Sequence, residues 1–98
     1  MSGDAVAVAP QMYKVVLENE QVRVLEVRGK PGDKTALHTH PALVAIAITD
    51  GKYRFGSPDG ESTDAELKAG QAMFFDRVEH TTEIRGTADV HILLVELK

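Results

Sequence analysis

The feature that most constrains the fold of this chain is a succession of short strand-like runs separated by turn signals. The runs are apolar, β-branched or alternating in character, and no window has a convincing helical period. Clusters of glycine, proline and aspartate divide the runs, and the pair Asp50-Gly51 predicts a hairpin turn between two of them. The predicted strands cover residues 15–18, 22–28, 34–40, 43–49, 52–55, 63–68, 71–76, 80–85 and 90–97. Nine short strands at this spacing predict an all-β fold, an antiparallel sandwich or barrel.

The length of 98 residues corresponds to one domain. We assign residues 12–98 to a single β-barrel domain and residues 1–11 to a flexible segment or a strand exchanged with a neighbouring subunit. A chain of this size buries only about 60–65% of its unfolded surface, so we expect a homodimer. The first residues lack the basic start of a signal peptide and the length of a membrane span, which makes the cytoplasm the expected location.

Charge and cysteine usage exclude several classes of function. The net charge is -4, and lysine and arginine form no cluster, which argues against nucleic acid or an anionic membrane as a partner. The chain has no cysteine, so disulfides, thiolate metal sites and cysteine nucleophiles are excluded. A functional site must therefore be built from histidine, carboxylate and hydroxyl groups, and we expect its partner to be a small molecule.

Two of the four histidines are separated by a single residue in the sequence His38-Thr39-His40. On a β-strand, side chains at i and i+2 point to the same face, and their Cα atoms lie roughly 7 Å apart. Both imidazoles can then reach one metal ion at a bond length of about 2.0–2.1 Å. The alternative is a pair of exposed imidazoles on a polar strand edge.

Glycines at fixed distances from these histidines extend the pattern. Gly32, His38, His40 and Gly51 resemble the first motif of the cupin family, in which a glycine precedes His-x-His and a second glycine closes the motif. Gly70 and His80 are similar to the second cupin motif, although Asp76, Val78 and Ile84 stand where the family has proline, glycine and asparagine. The resemblance covers residues 22–97 and is to small single-domain cupins. It implies an antiparallel double-stranded β-helix, or jelly-roll barrel.

The resemblance also implies a set of metal ligands. His38, His40 and His80 match the histidines of the family, but Val44 occupies the position of its usual glutamate and Ala45 the alternative position. Three neutral imidazoles suffice for a divalent ion such as Fe, Mn, Ni or Zn and leave open coordination positions. A site without a carboxylate keeps the full charge of the ion and should favour a chelating, anionic substrate. The alternative for His80 is a surface residue near a turn.

Other residues are weaker candidates for the site. We expect Val44, Ile46, Phe75 and Ile84 to line an apolar pocket beside the metal. Glu26 and Glu79 are candidate fourth ligands or general bases, although carboxylates on half-exposed strands are usually solvated. His91 is a candidate ligand or acid–base group near the metal, although a buried histidine with a hydrogen bond is the commoner case. Arg23 and Arg54 are candidates to orient an anionic substrate.

Two functions agree with these residues. One is a metal-dependent dioxygenase or isomerase that acts on a compact anionic or dicarbonyl substrate. The alternative is a non-catalytic module that binds or senses a small ligand. A structural zinc site is less consistent with the sequence, because such sites normally have four protein ligands.

Overall fold

Nine antiparallel strands form two facing sheets in the computed structural model, which describes residues 3–98. One short helix, α1 (Ala5–Val8), precedes them. The strands are β1 (Tyr13–Glu18), β2 (Val22–Gly29), β3 (His38–His40), β4 (Leu43–Ala47), β5 (Gly51–Gly56), β6 (Ser62–Leu67), β7 (Ala72–Phe75), β8 (Val78–Arg85) and β9 (Val90–Leu97). The predicted all-β jelly-roll fold is confirmed.

The chain passes repeatedly from one sheet to the other. The five-stranded sheet has the order β1-β2-β9-β4-β7, and the four-stranded sheet has the order β3-β8-β5-β6. The predicted hairpin at Asp50-Gly51 is wrong, because β4 and β5 lie in different sheets. Strand β4 is already paired with β9 on one side and β7 on the other, so it has no free edge for β5. The turn instead carries the chain across the barrel.

The core lies between the inner faces of the two sheets. Alternation along each strand turns every second side chain inward. In β4, Leu43, Ala45 and Ala47 are buried, whereas Val44 and Ile46 lie on the outer face. The largest buried apolar side chains come from both sheets and include Leu25, Val27, Tyr53, Leu67, Ile84, Ile92 and Leu94.

The N-terminal segment packs against the barrel of its own chain. Asp4 caps α1 by accepting a hydrogen bond from the Val6 amide, and the side chains of Ala5 and Ala9 are fully buried. The apolar side chains of the segment join the core in this structure, and the assignment of residues 1–11 to a flexible segment stays a prediction. Residues 1 and 2 lie outside the described part of the chain, and exchange of the segment between subunits stays a prediction.

None of the helices within residues 3–98 is long and apolar enough to cross a membrane.

Candidate metal centre

Three histidines converge on the inner face of the four-stranded sheet. His38 and His40 lie on β3, and His80 lies directly opposite His38 on the antiparallel neighbour β8. Their candidate ligand nitrogens all lie within 4.8 Å of one another. His38 and His40 are fully buried, and His80 is half-buried. The i, i+2 spacing and the strand register together create the cluster.

The loop before β3 is anchored to the strand that carries His80. Gly32 has a φ of +91°, which favours glycine, and its amide donates to the Ile84 carbonyl of β8. The amide of Thr35 donates to the Thr82 carbonyl, two residues beyond His80. These bonds hold the loop against β8 and so set the register in which the three histidines meet.

One nitrogen of His40 is buried without a hydrogen bond. In the neutral imidazole, Nδ1–H donates to Oε2 of Glu96 at 2.7 Å and the lone pair lies on Nε2. Within residues 3–98, Nε2 of His40 has no hydrogen-bond partner. A buried polar atom without a partner is costly, and an unprotonated imidazole nitrogen beside two others is the donor that a divalent ion prefers. The residues present therefore fit a metal ion.

Hydroxyl groups contact the other two histidines. Nδ1–H of His38 donates to the Ala36 carbonyl at 2.8 Å, which leaves Nε2 to accept from the Tyr13 hydroxyl at 3.2 Å. The Thr82 hydroxyl lies 3.0 Å from the Tyr13 hydroxyl and 3.4 Å from Nε2 of His80. Tyr13 and Thr82 were not predicted from the sequence: Tyr13 is the one buried residue of β1, which shows no alternation, whereas Thr82 lies on the alternating stretch of β8.

Burial keeps these groups uncharged near neutral pH. The pKa of His80 is lowered to about 3 by burial and by the neighbouring His40 and His38. Burial also lowers the pKa of His38. Burial raises the pKa of Tyr13 to about 12, so its phenol stays protonated. His38 and His80 are therefore neutral and able to bind a metal ion, beside a phenol that can donate a hydrogen bond.

A cavity of about 380 Å³ opens beside the cluster. Its walls are mainly apolar, with Val27, Leu43, Ala45, Phe55, Phe75 and Leu94 among them. Its polar lining comprises His40, His80 and Tyr13 together with Tyr53, Ser57, Glu61, Thr63, Glu79 and Thr82. No lysine or arginine lines it in the described part of the chain. The cavity therefore suits a compact ligand whose polar atoms face the histidines.

Of the four residues predicted to line the pocket, one lines the cavity and three do not. Phe75 lines the cavity. Val44 and Ile46 do not, because β4 turns Leu43 and Ala45 inward and these two outward. Ile84 is fully buried in the core cluster and is not part of the cavity wall. Both faces of β4 are apolar, so its alternation alone could not show which set faces inward.

Of the remaining weaker candidates for the site, one lies at the cavity and the others lie elsewhere. Glu79 lines the cavity. Glu26 and His91 pair with each other, with Oε2 and Nε2 2.9 Å apart, on the outer face of the five-stranded sheet. Each of them alternates with buried neighbours on its strand, which turns it away from the cluster. Arg54 pairs with Asp64 at 2.8 Å, and both side chains are exposed.

A buried carboxylate beside His40 was missed by the sequence analysis. Glu96 is 1% exposed and accepts hydrogen bonds from His40 and, at 2.8 Å, from Nε of Arg23. Arg23 therefore binds a carboxylate of its own chain rather than reaching into the cavity. A signal was present, because Glu96 follows Ile92 and Leu94 at every second position, and the other inward residues of β9 are all apolar.

Comparisons with known proteins agree with this architecture. Residues 16–96 match the family model described as a cupin domain. The beta-alanine degradation protein BauB of Pseudomonas aeruginosa is 35% identical over 92 residues, an alignment that covers 91% of this chain and 96% of the relative.

Two solved structures resemble the fold. A cupin-domain protein from Bordetella pertussis has 29% sequence identity and a TM-score of 0.78, with 89% of this chain and 92% of that chain covered. A protein with a double-stranded β-helix domain from Klebsiella pneumoniae has 25% identity and a TM-score of 0.69, covering 88% and 75% of the two chains. The family model spans most of the chain, and the protein belongs to the cupin family.

Proposed function

We propose that this protein is a metal-dependent cupin enzyme, a dioxygenase or isomerase, that acts on a compact anionic or dicarbonyl substrate. His38, His40 and His80 hold the divalent ion. The observation that carries the proposal is the buried Nε2 of His40, which has no hydrogen-bond partner in the described part of the chain and lies beside two further imidazoles at the end of a cavity.

The number of ligands supports an active rather than a structural site. Three histidines leave coordination positions open, and a structural site would normally be closed by a fourth protein ligand. When bound, Fe, Mn, Ni or Zn would supply Lewis-acid polarisation of a substrate carbonyl, and Fe(II) would also supply dioxygen chemistry.

The residues around the cluster define the substrate. The cavity of about 380 Å³ limits the substrate to a compact molecule. Among residues 3–98 no lysine or arginine lines it, whereas Glu61 and Glu79 do, so the negative charge of a substrate would be matched at the ion alone. The protonated Tyr13 hydroxyl, 3.2 Å from Nε2 of His38, can redirect its hydrogen bond to a substrate oxygen. The apolar walls limit the access of water.

The relative from Pseudomonas aeruginosa directs the choice of test compounds. Its name assigns it to beta-alanine degradation, and it is 35% identical to this chain. Beta-alanine is a compact carboxylate, which agrees with the size of the cavity. We therefore place small carboxylates, including beta-alanine, beside diketones, thiols and catechols as candidate substrates.

A panel assay tests the proposal. Protein loaded anaerobically with Fe(II), Mn(II), Ni(II) or Zn(II) is incubated with these compounds, while oxygen uptake and product formation by NMR are followed. We expect turnover of at least one compound, its loss in His38→Ala and His80→Ala, and its retention in His91→Ala, because His91 lies outside the cluster. No turnover of any compound, or equal turnover in His38→Ala, would contradict the proposal.

One observation favours the second candidate, a non-catalytic ligand-binding module. The hydroxyls of Tyr13 and Thr82 already contact ring nitrogens of His38 and His80, so the histidines can serve as a polar wall without an ion. This function predicts that a compound from the panel raises the melting temperature, is not turned over, and still binds after treatment with a chelator. Loss of binding on chelation excludes it.

A further inference from the structure

We propose that Asp4, Arg23 and Glu96 are positioning residues that hold His40 in its metal-binding orientation. The N-terminal segment thereby contributes to the metal site. The inference rests on the proposed metal site and extends it to a part of the chain that precedes the barrel. Three links in the structure support it, and they lead from the imidazole outward to the surface.

The first link is the carboxylate of Glu96. Its Oε2 accepts from Nδ1–H of His40 at 2.7 Å, and its Oε1 accepts from Nε of Arg23 at 2.8 Å. Because each oxygen has its own donor and the side chain is 1% exposed, the carboxylate has one defined orientation. That orientation keeps the proton of His40 on Nδ1 and directs Nε2 towards the cluster.

The second link is the ion pair between Arg23 and Asp4. The two guanidinium Nη atoms donate to the two carboxylate oxygens of Asp4 at 3.1 and 2.6 Å. Burial alone would raise the pKa of Asp4, but the hydrogen bonds and the positive charge of Arg23 outweigh burial and lower it. Arg23 is thus held between two carboxylates, one buried and one near the surface.

The third link joins the N-terminal segment to the strand that bears the ligands. The Thr39 amide donates to the Gly3 carbonyl at 2.9 Å, and Asp4 forms a parallel bridge with Thr39. Thr39 lies between His38 and His40. The segment therefore contacts β3 through its backbone and Glu96 through Arg23, and it ties together the two sheets that meet at the site.

Burial makes these contacts costly to lose. A metal-binding histidine gains affinity when its second nitrogen donates to a carboxylate, typically about 10- to 100-fold. A buried carboxylate is costly unless it is paired, and Glu96 depends on Arg23 for that pairing. Asp4 in turn holds Arg23. A change at Asp4, remote from the ion, should therefore weaken metal binding.

Two variants and one matched control test this chain of contacts in the full-length protein. Glu96→Gln removes the buried charge. Asp4→Asn removes the outer charge but keeps a side chain that can cap α1. Glu26→Gln is the control, because Glu26 also pairs with a histidine on the five-stranded sheet but lies outside the cluster. Co²⁺ affinity is measured by visible absorption, and the tautomer of His40 is measured by ¹⁵N NMR in the metal-free protein.

We expect Glu96→Gln to weaken Co²⁺ binding by about 10- to 100-fold and Asp4→Asn by about two- to fivefold, the effect of a partly exposed ion pair. The His40 signal should report Nδ1 protonation in the wild type and a mixed tautomer in Glu96→Gln. Glu26→Gln should match the wild type in both measurements.

The outcomes separate this inference from the proposed function. A wild type that binds Co²⁺ while both variants keep its affinity and tautomer overturns the positioning role alone. A wild type that binds no Co²⁺ overturns the proposed metal site and the positioning role with it. If Glu96→Gln fails to fold, Asp4→Asn decides the matter, because its side chain is 41% exposed and its loss leaves the core intact.

Discussion

At the scale of single residues, buried imidazoles link the stability of the protein to pH. The pKa of His80 is about 3 in the folded protein, mainly because of burial, against 6.5 for an unperturbed histidine. Below pH 6.5 the unfolded chain takes up a proton that the folded chain does not bind. The free energy of unfolding therefore falls as the pH decreases from 6.5 towards 3. The lowered pKa of His38 acts in the same direction.

This linkage predicts a difference between the metal-free wild type and a metal-free His80→Gln variant. The wild type should lose up to about 1.4 kcal/mol more per pH unit below pH 6.5, because one extra proton separates the two states. Urea unfolding followed by circular dichroism between pH 7.5 and 4 measures both curves. The carboxylates of the chain contribute to both proteins and cancel in the comparison. Equal slopes would contradict a buried, neutral His80.

At the scale of elements, the alternation of side chains between the two faces of each strand determined which sequence predictions agreed with the structure. His38 and His40 could be placed on one face because they lie at i and i+2 of a single strand. The inward face of β4 could not be identified, because Leu43, Val44, Ala45 and Ile46 are all apolar. Its direction depends on the register with β7 and β9, which involves residues far apart in the chain.

At the glycines of the motifs, in contrast, the residue type itself indicated the local backbone conformation. Gly32 and Gly70 have φ values of +91° and +86°, a region that favours glycine. At Gly51, an added Cβ would lie 2.8 Å from Cγ1 of Val90, so only glycine fits there without movement. The backbone constraint at Gly32 and Gly70 acts on one residue and is visible in one sequence, whereas the contact at Gly51 depends on the fold.

Glu96 illustrates why the rest of the site was harder to predict. It stands 56 residues from His40 along the chain, and its pairing with Arg23 depends on the register between β2 and β9. No local pattern reports such a contact. Glu96 shares its face of β9 with apolar inward residues, which indicated a buried charge. Its partners, however, can be identified only from the fold.

At the scale of the whole molecule, an apolar row crosses the outer face of the five-stranded sheet. Its members are neighbours in register across all five strands: Leu17, Val24, Val95, Val44 and Phe74. The terminal residues Leu17 and Phe74 are 51% and 58% exposed. Val24, Val95 and Val44 between them are half-buried. An apolar surface with large exposed side chains is typical of an interaction site. We propose that a second copy of the chain covers it in a homodimer.

Light scattering at micromolar concentration tests this proposal. We expect a dimer for the wild type and for the conservative variant Phe74→Leu, which keeps the surface apolar. Phe74→Lys should be monomeric with an unchanged circular dichroism spectrum, since the side chain lies outside the core. A monomeric wild type would refute the dimer, and a dimeric Phe74→Lys would refute this face as its interface.

The central claim is that His38, His40 and His80 form a metal site, and metal stoichiometry tests it most directly. Protein prepared without an affinity tag is incubated anaerobically with Fe(II) or Mn(II), passed through a desalting column and analysed for bound metal. We predict about one ion per chain for the wild type and for His91→Ala, and loss of the ion in His38→Ala and His80→Ala. A folded wild type that retains no metal, or a His38→Ala variant that retains as much as the wild type, would contradict the account.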